Sequence, residues 1–94
     1  MAERVAVVCS VLNEGPAIDV LIDSLLGQTR RPDEVVVADG GSRDDTVARI
    51  RRRIEAGAPI RLIERPGTNI SQARNAAIAE TGAPIVAVTD CGVR

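Results

Sequence analysis

The 94-residue sequence contains no phenylalanine, tyrosine or tryptophan, although 45% of its residues are hydrophobic. Its core must therefore consist of valine, isoleucine, leucine and alanine, and no ligand can stack on an aromatic ring. Modules that bind single-stranded nucleic acid rely on aromatic stacking platforms. The absence of aromatic residues argues against that class of protein.

Lysine and histidine are also absent, so all 12 cationic side chains are arginine. Without histidine the chain can form neither a Ser–His or Cys–His catalytic pair nor a histidine metal site. The net charge of −1 provides no basic field that would attract nucleic acid or anionic lipid. The arginine-rich segment from Arg49 to Glu55 follows helical spacing, and we interpret it as a solvated helix face rather than a phosphate-binding stripe.

Cysteine is scarce and long apolar runs are missing. Cys9 and Cys91 are too few for a disulfide scaffold and have no Cys-x-x-Cys spacing. No signal peptide is visible, and no apolar run reaches the roughly eighteen residues of a membrane span. We therefore expect reduced cysteines and a cytoplasmic location, or the cytoplasmic face of a membrane if a further part of the protein carries an anchor.

Short β-branched runs alternate with segments of helical periodicity along the whole chain. The first run is typical of a strand buried on both faces, and the third alternates like an edge strand. The predicted strands are Val5 to Val11, Val35 to Ala38, Ile60 to Glu64 and Ala83 to Asp90. The order β-α-β-α-β-α-β indicates one α/β domain with a parallel sheet and right-handed crossovers.

The three predicted helices follow from the spacing of their apolar residues and from the glycines near their ends. The second is expected to begin just after Ser42, with Asp44 and Asp45 in its first turn. The predicted apolar faces are Ile18, Leu21, Ile22, Leu25 and Leu26 in the first helix, Val47, Ile50 and Ile54 in the second, and Ile70, Ala73, Ala77 and Ile78 in the third.

Polar residues cluster where the predicted strands run into their helices, which is the edge at which parallel sheets bind ligands. Each residue taken singly is typical of a helix cap. Three such loops on one edge favour a ligand site. The residues are Ser10, Asn13 and Glu14 after the first strand, Asp39 and Ser42 after the second, and Thr89 and Asp90 at the end of the fourth.

The spacing of these loops excludes the common nucleotide-binding motifs. A Rossmann dinucleotide site needs Gly-x-Gly-x-x-Gly after the first strand, whereas that turn reads "CSVLNEGPA" with a single glycine. A P-loop needs a lysine, which the chain lacks. A sugar nucleotidylyltransferase is also expected to carry a lysine in a glycine- and arginine-rich first loop.

Three segments in order, "VAVVCSVLNEG", "VVVADGGSRDDT" and "NISQARNAAIAETGAPIVAVTDCG", together resemble the start of a family-2 glycosyltransferase of the GT-A fold. The resemblance covers nearly the whole chain. It implies a Rossmann-like parallel sheet of strand order 3-2-1-4 with alternating helices. It also implies transfer of a sugar from a nucleotide diphosphate-sugar to an acceptor hydroxyl, with inversion.

The resemblance further implies how the "ADGGS" segment serves the donor. Asp39 would accept the ring N–H of the base, which favours a UDP-, dTDP- or GDP-sugar because adenine and neutral cytosine lack such a proton. Gly40 and Gly41 would let the backbone pass beneath the base without a Cβ. Ser42 would cap the second helix, with the following acids complementing its dipole.

The resemblance assigns the remaining donor contacts to other loops. Ser10, Asn13 and Glu14 match the loop that wraps the nucleoside, although Glu14 can equally be a first-turn helix acid. Arg74 would contact the base or position Asp39, the alternative being a surface salt bridge.

The family's Asp-x-Asp segment, whose last acid holds Mg²⁺ or Mn²⁺, reads Asp90-Cys91-Gly92 in this chain. Asp90 can hold ribose or metal-bound water, but Gly92 offers no ligand. The resemblance thus implies a bound metal ion, but the sequence lacks the residue that usually binds it. We therefore expect Mn²⁺ to increase nucleotide binding only a little.

No strong candidate for the catalytic base occurs in the sequence. We therefore expect residues 1–94 to be the nucleotide-sugar-binding half of a truncated glycosyltransferase domain, inactive alone and able to self-associate through its uncovered face. Alternatives are a non-catalytic nucleotide-binding or interaction module and a purely structural α/β domain. In strand order 3-2-1-4, Cys9 and Cys91 would lie at the same sheet edge.

Overall fold

The computed structural model describes residues 4–28 and 31–89 of the chain. Within them lies a parallel sheet of four strands in the order β3-β2-β1-β4. The predicted fold class and strand order are confirmed. The elements are β1 (Val5–Val11), α1 (Pro16–Leu26), β2 (Glu34–Asp39), α2 (Thr46–Glu55), β3 (Ile60–Glu64), α3 (Ile70–Glu80) and β4 (Ile85–Val88).

The two central strands carry the core because both of their faces are covered. One face of β1 and β2 packs with α1 and α2 in a cluster of branched aliphatic side chains. On the other face, α3 packs against the same strands through Ala73 and Ala77. Alanine at both positions lets the helix backbone lie close to the sheet.

The predicted apolar face of α3 is only half right. Ala73 and Ala77 are buried, but Ile70 is 64% and Ile78 38% exposed. Helical spacing alone could not distinguish the two pairs. The alanines lie at the contact with the sheet, and the isoleucines lie outside it.

Two other predicted boundaries are wrong, and the cause in each case is local. Helix α2 begins at Thr46 rather than just after Ser42, because residues 40–45 form a loop that is bonded to its neighbours. Strand β4 is paired with β1 only over Ile85–Val88, which is shorter than the predicted strand.

Helix α3 begins with a motif that was not predicted, and two residues with predicted positions lie outside the described part of the chain. A capping box between Asn69 and Gln72 begins α3, a device that the sequence analysis did not identify. Cys9 is fully buried in β1, but Cys91 and Asp90 lie outside the described residues, so their placement stays a prediction. Among the described helices, none has the length and apolar character to cross a bilayer.

Candidate functional site

Three loops meet at the carboxyl edge of the sheet. The first loop (residues 12–15) follows β1, the second loop (residues 40–45) follows β2, and the third loop (residues 65–69) follows β3. The Gly40 N–H donates to the Val11 carbonyl at 3.0 Å, and the Gly67 N–H donates to the Gly40 carbonyl at 3.2 Å. The second loop is therefore bonded to the end of β1 and to the third loop.

Asp39, the last residue of β2, organises the second loop. Its side chain is almost fully buried, with 2% of the residue exposed. Oδ2 accepts the backbone N–H groups of Gly41 at 3.0 Å and Ser42 at 2.9 Å, and Oδ1 accepts the Ser42 hydroxyl. A carboxylate has about four acceptor positions. Groups of the second loop occupy three of these acceptor positions, and the fourth position is on Oδ1.

The first and second loops are joined by two hydrogen bonds, which we call the Asn13–Ser42 clasp. The Asn13 N–H donates to Ser42 Oγ at 2.9 Å, and the Arg43 N–H donates to Asn13 Oδ1 at 2.7 Å. Asn13 has a positive φ of 52°. Asparagine tolerates this left-handed conformation better than most residues, which explains its place at the turn.

Thr46 joins the same two loops from the inside. Its side chain is fully buried, and its hydroxyl accepts the Gly15 N–H at 2.9 Å while donating to Asp44 Oδ1 at 2.5 Å. Asp44 Oδ1 also accepts the Thr46 N–H at 3.0 Å. The hydrogen bonds from the Thr46 hydroxyl and backbone lower the pKa of the Asp44 carboxyl below its ordinary value.

Gly40 lies close to the third loop, and Gly41 has a backbone conformation that favours glycine. A Cβ on Gly40 would lie 3.3 Å from the Thr68 carbonyl oxygen, which is closer than most such contacts. Gly41 has a φ of 109°, and a Cβ there would approach Pro66 Cα at 3.4 Å. These contacts account for the glycines within the fold, and their place beneath a base stays a prediction.

Ser42 does not cap α2, and Asp44 and Asp45 precede the helix instead of lying in its first turn as predicted. Asp45 occupies the N-cap position of α2 without a side-chain hydrogen bond to the helix. Ser42 lies four residues before Thr46, the first residue of α2, and its hydroxyl donates a hydrogen bond to Asp39 instead.

The other predicted site residues are placed less closely together. Ser10 lies in β1 with 8% of the residue exposed. Glu14 precedes α1, where its Oε2 accepts the Leu12 N–H at 3.4 Å; the acid in the first turn of that helix is Asp19. Arg74 is partly buried on α3, with its Nε atom buried.

Within residues 4–28 and 31–89, no group of three or more acidic or cysteine side chains is arranged to hold a metal ion. The carboxylates of Asp39 and Asp44 at this edge are bonded to their own loops. Asp90, the expected ligand, lies outside the described residues. The described residues therefore do not fit a metal site by themselves.

The described site is thus a set of three joined loops, in which Asn13, Asp39, Gly40 and Gly41 lie at the same edge of the sheet. The residues that sequence reasoning missed are Ser42 and Thr46 as links between loops, and the third-loop backbone around Pro66 to Thr68. The adjacent glycines of "ADGGS" were the available signal for that backbone contact.

Solved structures of other proteins share this fold. The chain is similar to the mannosyltransferase PcManGT from Pyrobaculum calidifontis, solved with GDP-Man and Mn²⁺, at 31% identity and a TM-score of 0.85 over 96% of this chain. It is similar to the M. tuberculosis glucosyl-3-phosphoglycerate synthase at 30% identity and a TM-score of 0.76 over 99% of this chain. S. aureus TarS, at 24% identity and a TM-score of 0.79 over 93%, shares the fold.

The chain spans 28% of the PcManGT chain, 36% of the M. tuberculosis enzyme and 16% of TarS. No curated protein matches the sequence. The sequence model of the family described as glycosyl transferase family 2 matches residues 6–91, which include all three loops of the carboxyl edge. The chain therefore belongs to glycosyl transferase family 2.

Proposed function

We propose that residues 1–94 form the donor-nucleotide-binding part of a glycosyltransferase that moves a sugar from a nucleotide diphosphate-sugar to an acceptor hydroxyl, with inversion. The observation that carries this proposal is the joining of three loops at the carboxyl edge of the sheet. The Asn13–Ser42 clasp and Thr46 join the first and second loops, and the hydrogen bond from the Gly67 N–H to the Gly40 carbonyl joins the second and third. That edge is where open parallel sheets bind ligands. Membership of the family and the GDP-Man bound to PcManGT support it.

In this proposal the base is read by the acceptor position of Asp39 Oδ1 that the second loop leaves unused. Uracil, thymine and guanine present a ring N–H to such an acceptor, whereas adenine and neutral cytosine do not. The bound nucleotide would therefore be of the UDP, dTDP or GDP type. Further contacts are proposed for Ser10, Asn13, Glu14, Gly40, Gly41, Arg74 and Asp90.

We assign no step of the reaction to a metal ion. Asp90 is the residue proposed to hold ribose or metal-bound water, and glycine at position 92 supplies no side-chain ligand. Added Mn²⁺ should therefore change nucleotide affinity only slightly.

Inverting transfer requires the acceptor hydroxyl to attack the anomeric carbon opposite the leaving diphosphate, while a base takes the hydroxyl proton. The three loops offer no strong candidate for that base. We therefore expect residues 1–94 to bind the nucleotide without transferring sugar.

The test is a calorimetric titration of the chain with UDP, GDP, CDP and ADP. UDP or GDP should bind more tightly than CDP and ADP. Asp39→Asn replaces an acceptor oxygen by an amide and removes a charge-assisted hydrogen bond, which should weaken UDP or GDP about 10- to 150-fold. Asp23→Asn on α1 is the matched control; it removes a carboxylate that pairs with Arg53, outside the three loops, and should leave nucleotide affinity unchanged.

Selectivity separates base reading from a general disturbance of the loop. A variant that only loosens the second loop should weaken all four nucleotides together, whereas loss of base reading should remove the preference for UDP or GDP. Equal affinity for all four in the unchanged chain, unaffected by Asp39→Asn, would contradict the proposal. A structural α/β module would then be the better account.

A further inference from the structure

We infer that Ser42 is a positioning residue for donor binding, because its hydroxyl sets both the orientation of the Asp39 carboxylate and the spacing of the first and second loops. The inference rests on the proposed function. Its basis is one side chain of the second loop that bonds both the end of β2 and the first loop, donating to Asp39 Oδ1 and accepting from the Asn13 N–H at 2.9 Å.

The bond to Asp39 matters because it determines which acceptor position remains. Oδ2 is held by two backbone N–H groups of the second loop at 3.0 and 2.9 Å. The Ser42 hydroxyl takes one position on Oδ1 and so fixes the plane of the carboxylate. The direction of the last lone pair on Oδ1, which would receive a ring N–H, is then determined by Ser42.

The bond from Asn13 matters because it is one of the two hydrogen bonds of the Asn13–Ser42 clasp. Asn13 lies in the left-handed region, with a φ of 52°. Its backbone N–H loses its acceptor when the Ser42 hydroxyl is removed, leaving only the bond from Arg43 to the Asn13 side chain across the clasp. The gap between the loops should then vary, and with it the fit of a nucleoside.

The test compares Ser42→Ala and Ser42→Thr in residues 1–94, with Ser24→Ala, an exposed serine on α1, as the matched control. Ser42→Ala should weaken UDP about 10-fold, the scale of one hydrogen bond, and reduce the preference for UDP over CDP. Ser42→Thr retains the hydroxyl and should retain both the affinity for UDP and the preference for UDP over CDP. Ser24→Ala should change neither.

A second readout needs no nucleotide. Amide hydrogen exchange at Asn13 should be faster in Ser42→Ala than in the unchanged chain and normal in Ser42→Thr, because only the alanine lacks the acceptor. If Ser42→Ala fails to fold, Ser42→Cys keeps a similar side-chain size with a weak hydrogen-bonding group. Its UDP affinity should also fall below that of the threonine variant.

Two results would overturn the inference, and they are distinct. In the first, the unchanged chain prefers UDP, and the folded alanine or cysteine variant has the same affinities for UDP and CDP as the unchanged chain. Ser42 is then not a positioning residue, and the proposed function stands. If the unchanged chain binds none of the nucleotides, the proposed function fails, and the inference about Ser42 fails with it.

Discussion

Thr46 shows how a single buried hydroxyl can hold the carboxyl edge together. It is fully buried, and its Oγ1 accepts the Gly15 N–H at 2.9 Å. Thr46→Val keeps the shape but leaves that buried N–H without its acceptor. Such a loss costs about 1–3 kcal/mol, so we expect the free energy of unfolding, measured by urea denaturation, to fall by that amount.

Thr46→Ser is the control for this prediction because it retains the hydroxyl and removes only a methyl group. It should retain most of the stability that Thr46→Val loses. Equal unfolding free energies for the two variants would show that the hydroxyl contributes nothing to stability.

The residues of the candidate site illustrate which roles a sequence can reveal. Asp39 could be predicted because it ends a β-branched run and precedes two glycines. The role of Ser42 could not, because its partner Asn13 lies 29 positions away along the chain. Capping rules apply to the residue next to a helix, and they assigned Ser42 to α2 although the second loop separates the two.

At the scale of helices and strands, the hydrophobic pattern predicted the bounds of an element best where all of its residues lie in the same environment. The predicted bounds of β1 and β3 agree with the structure, and β2 is one residue longer at each end. Periodicity was least useful for α3, because the contact area of a helix on a sheet depends on how closely the two backbones approach. That distance is a tertiary property.

Helices α1 and α2 are joined by ion pairs that should make stability depend on pH. Asp19 accepts Arg49 at 2.7 Å and Arg53 at 3.0 Å. The hydrogen bond from Arg49 lowers the pKa of Asp19 below its ordinary value of 3.8, and Arg53 lowers it further. Desolvation raises this pKa but is outweighed by the two arginines. Folding is therefore favoured by the ionised form of this carboxyl.

Because the folded pKa is depressed, the contribution of Asp19 is complete above pH 3.8, its ordinary value, and is lost as the pH falls through the lower folded pKa. Unfolding free energies measured between pH 6 and pH 2 should fall less steeply at acid pH in Asp19→Asn than in the unchanged chain. Asp45→Asn removes a more exposed partner of Arg49 and is the comparison. Identical acid slopes for Asp19→Asn and the unchanged chain would contradict the prediction.

The two edges of the sheet differ in a way that concerns the whole molecule. On β3, Arg61 and Glu64 are exposed and form ion pairs with residues of other elements. Charged side chains of this kind protect an edge strand from pairing with another chain. Strand β4 reads "IVAV" and has no charge, and all four of its residues are exposed.

We predict that residues 1–94 self-associate through β4 or the sheet face beside it. Ile85 is 45%, Val86 37% and Val88 49% exposed, so association would remove contiguous apolar surface from water and pair the open strand edge. Val86→Lys would bring like charges together across a symmetric contact and should weaken association at least about 10-fold. Val20→Lys, on the exposed side of α1, should leave it unchanged. Sedimentation velocity over a range of concentrations measures both variants, and a monomer at every concentration of the unchanged chain would refute the prediction.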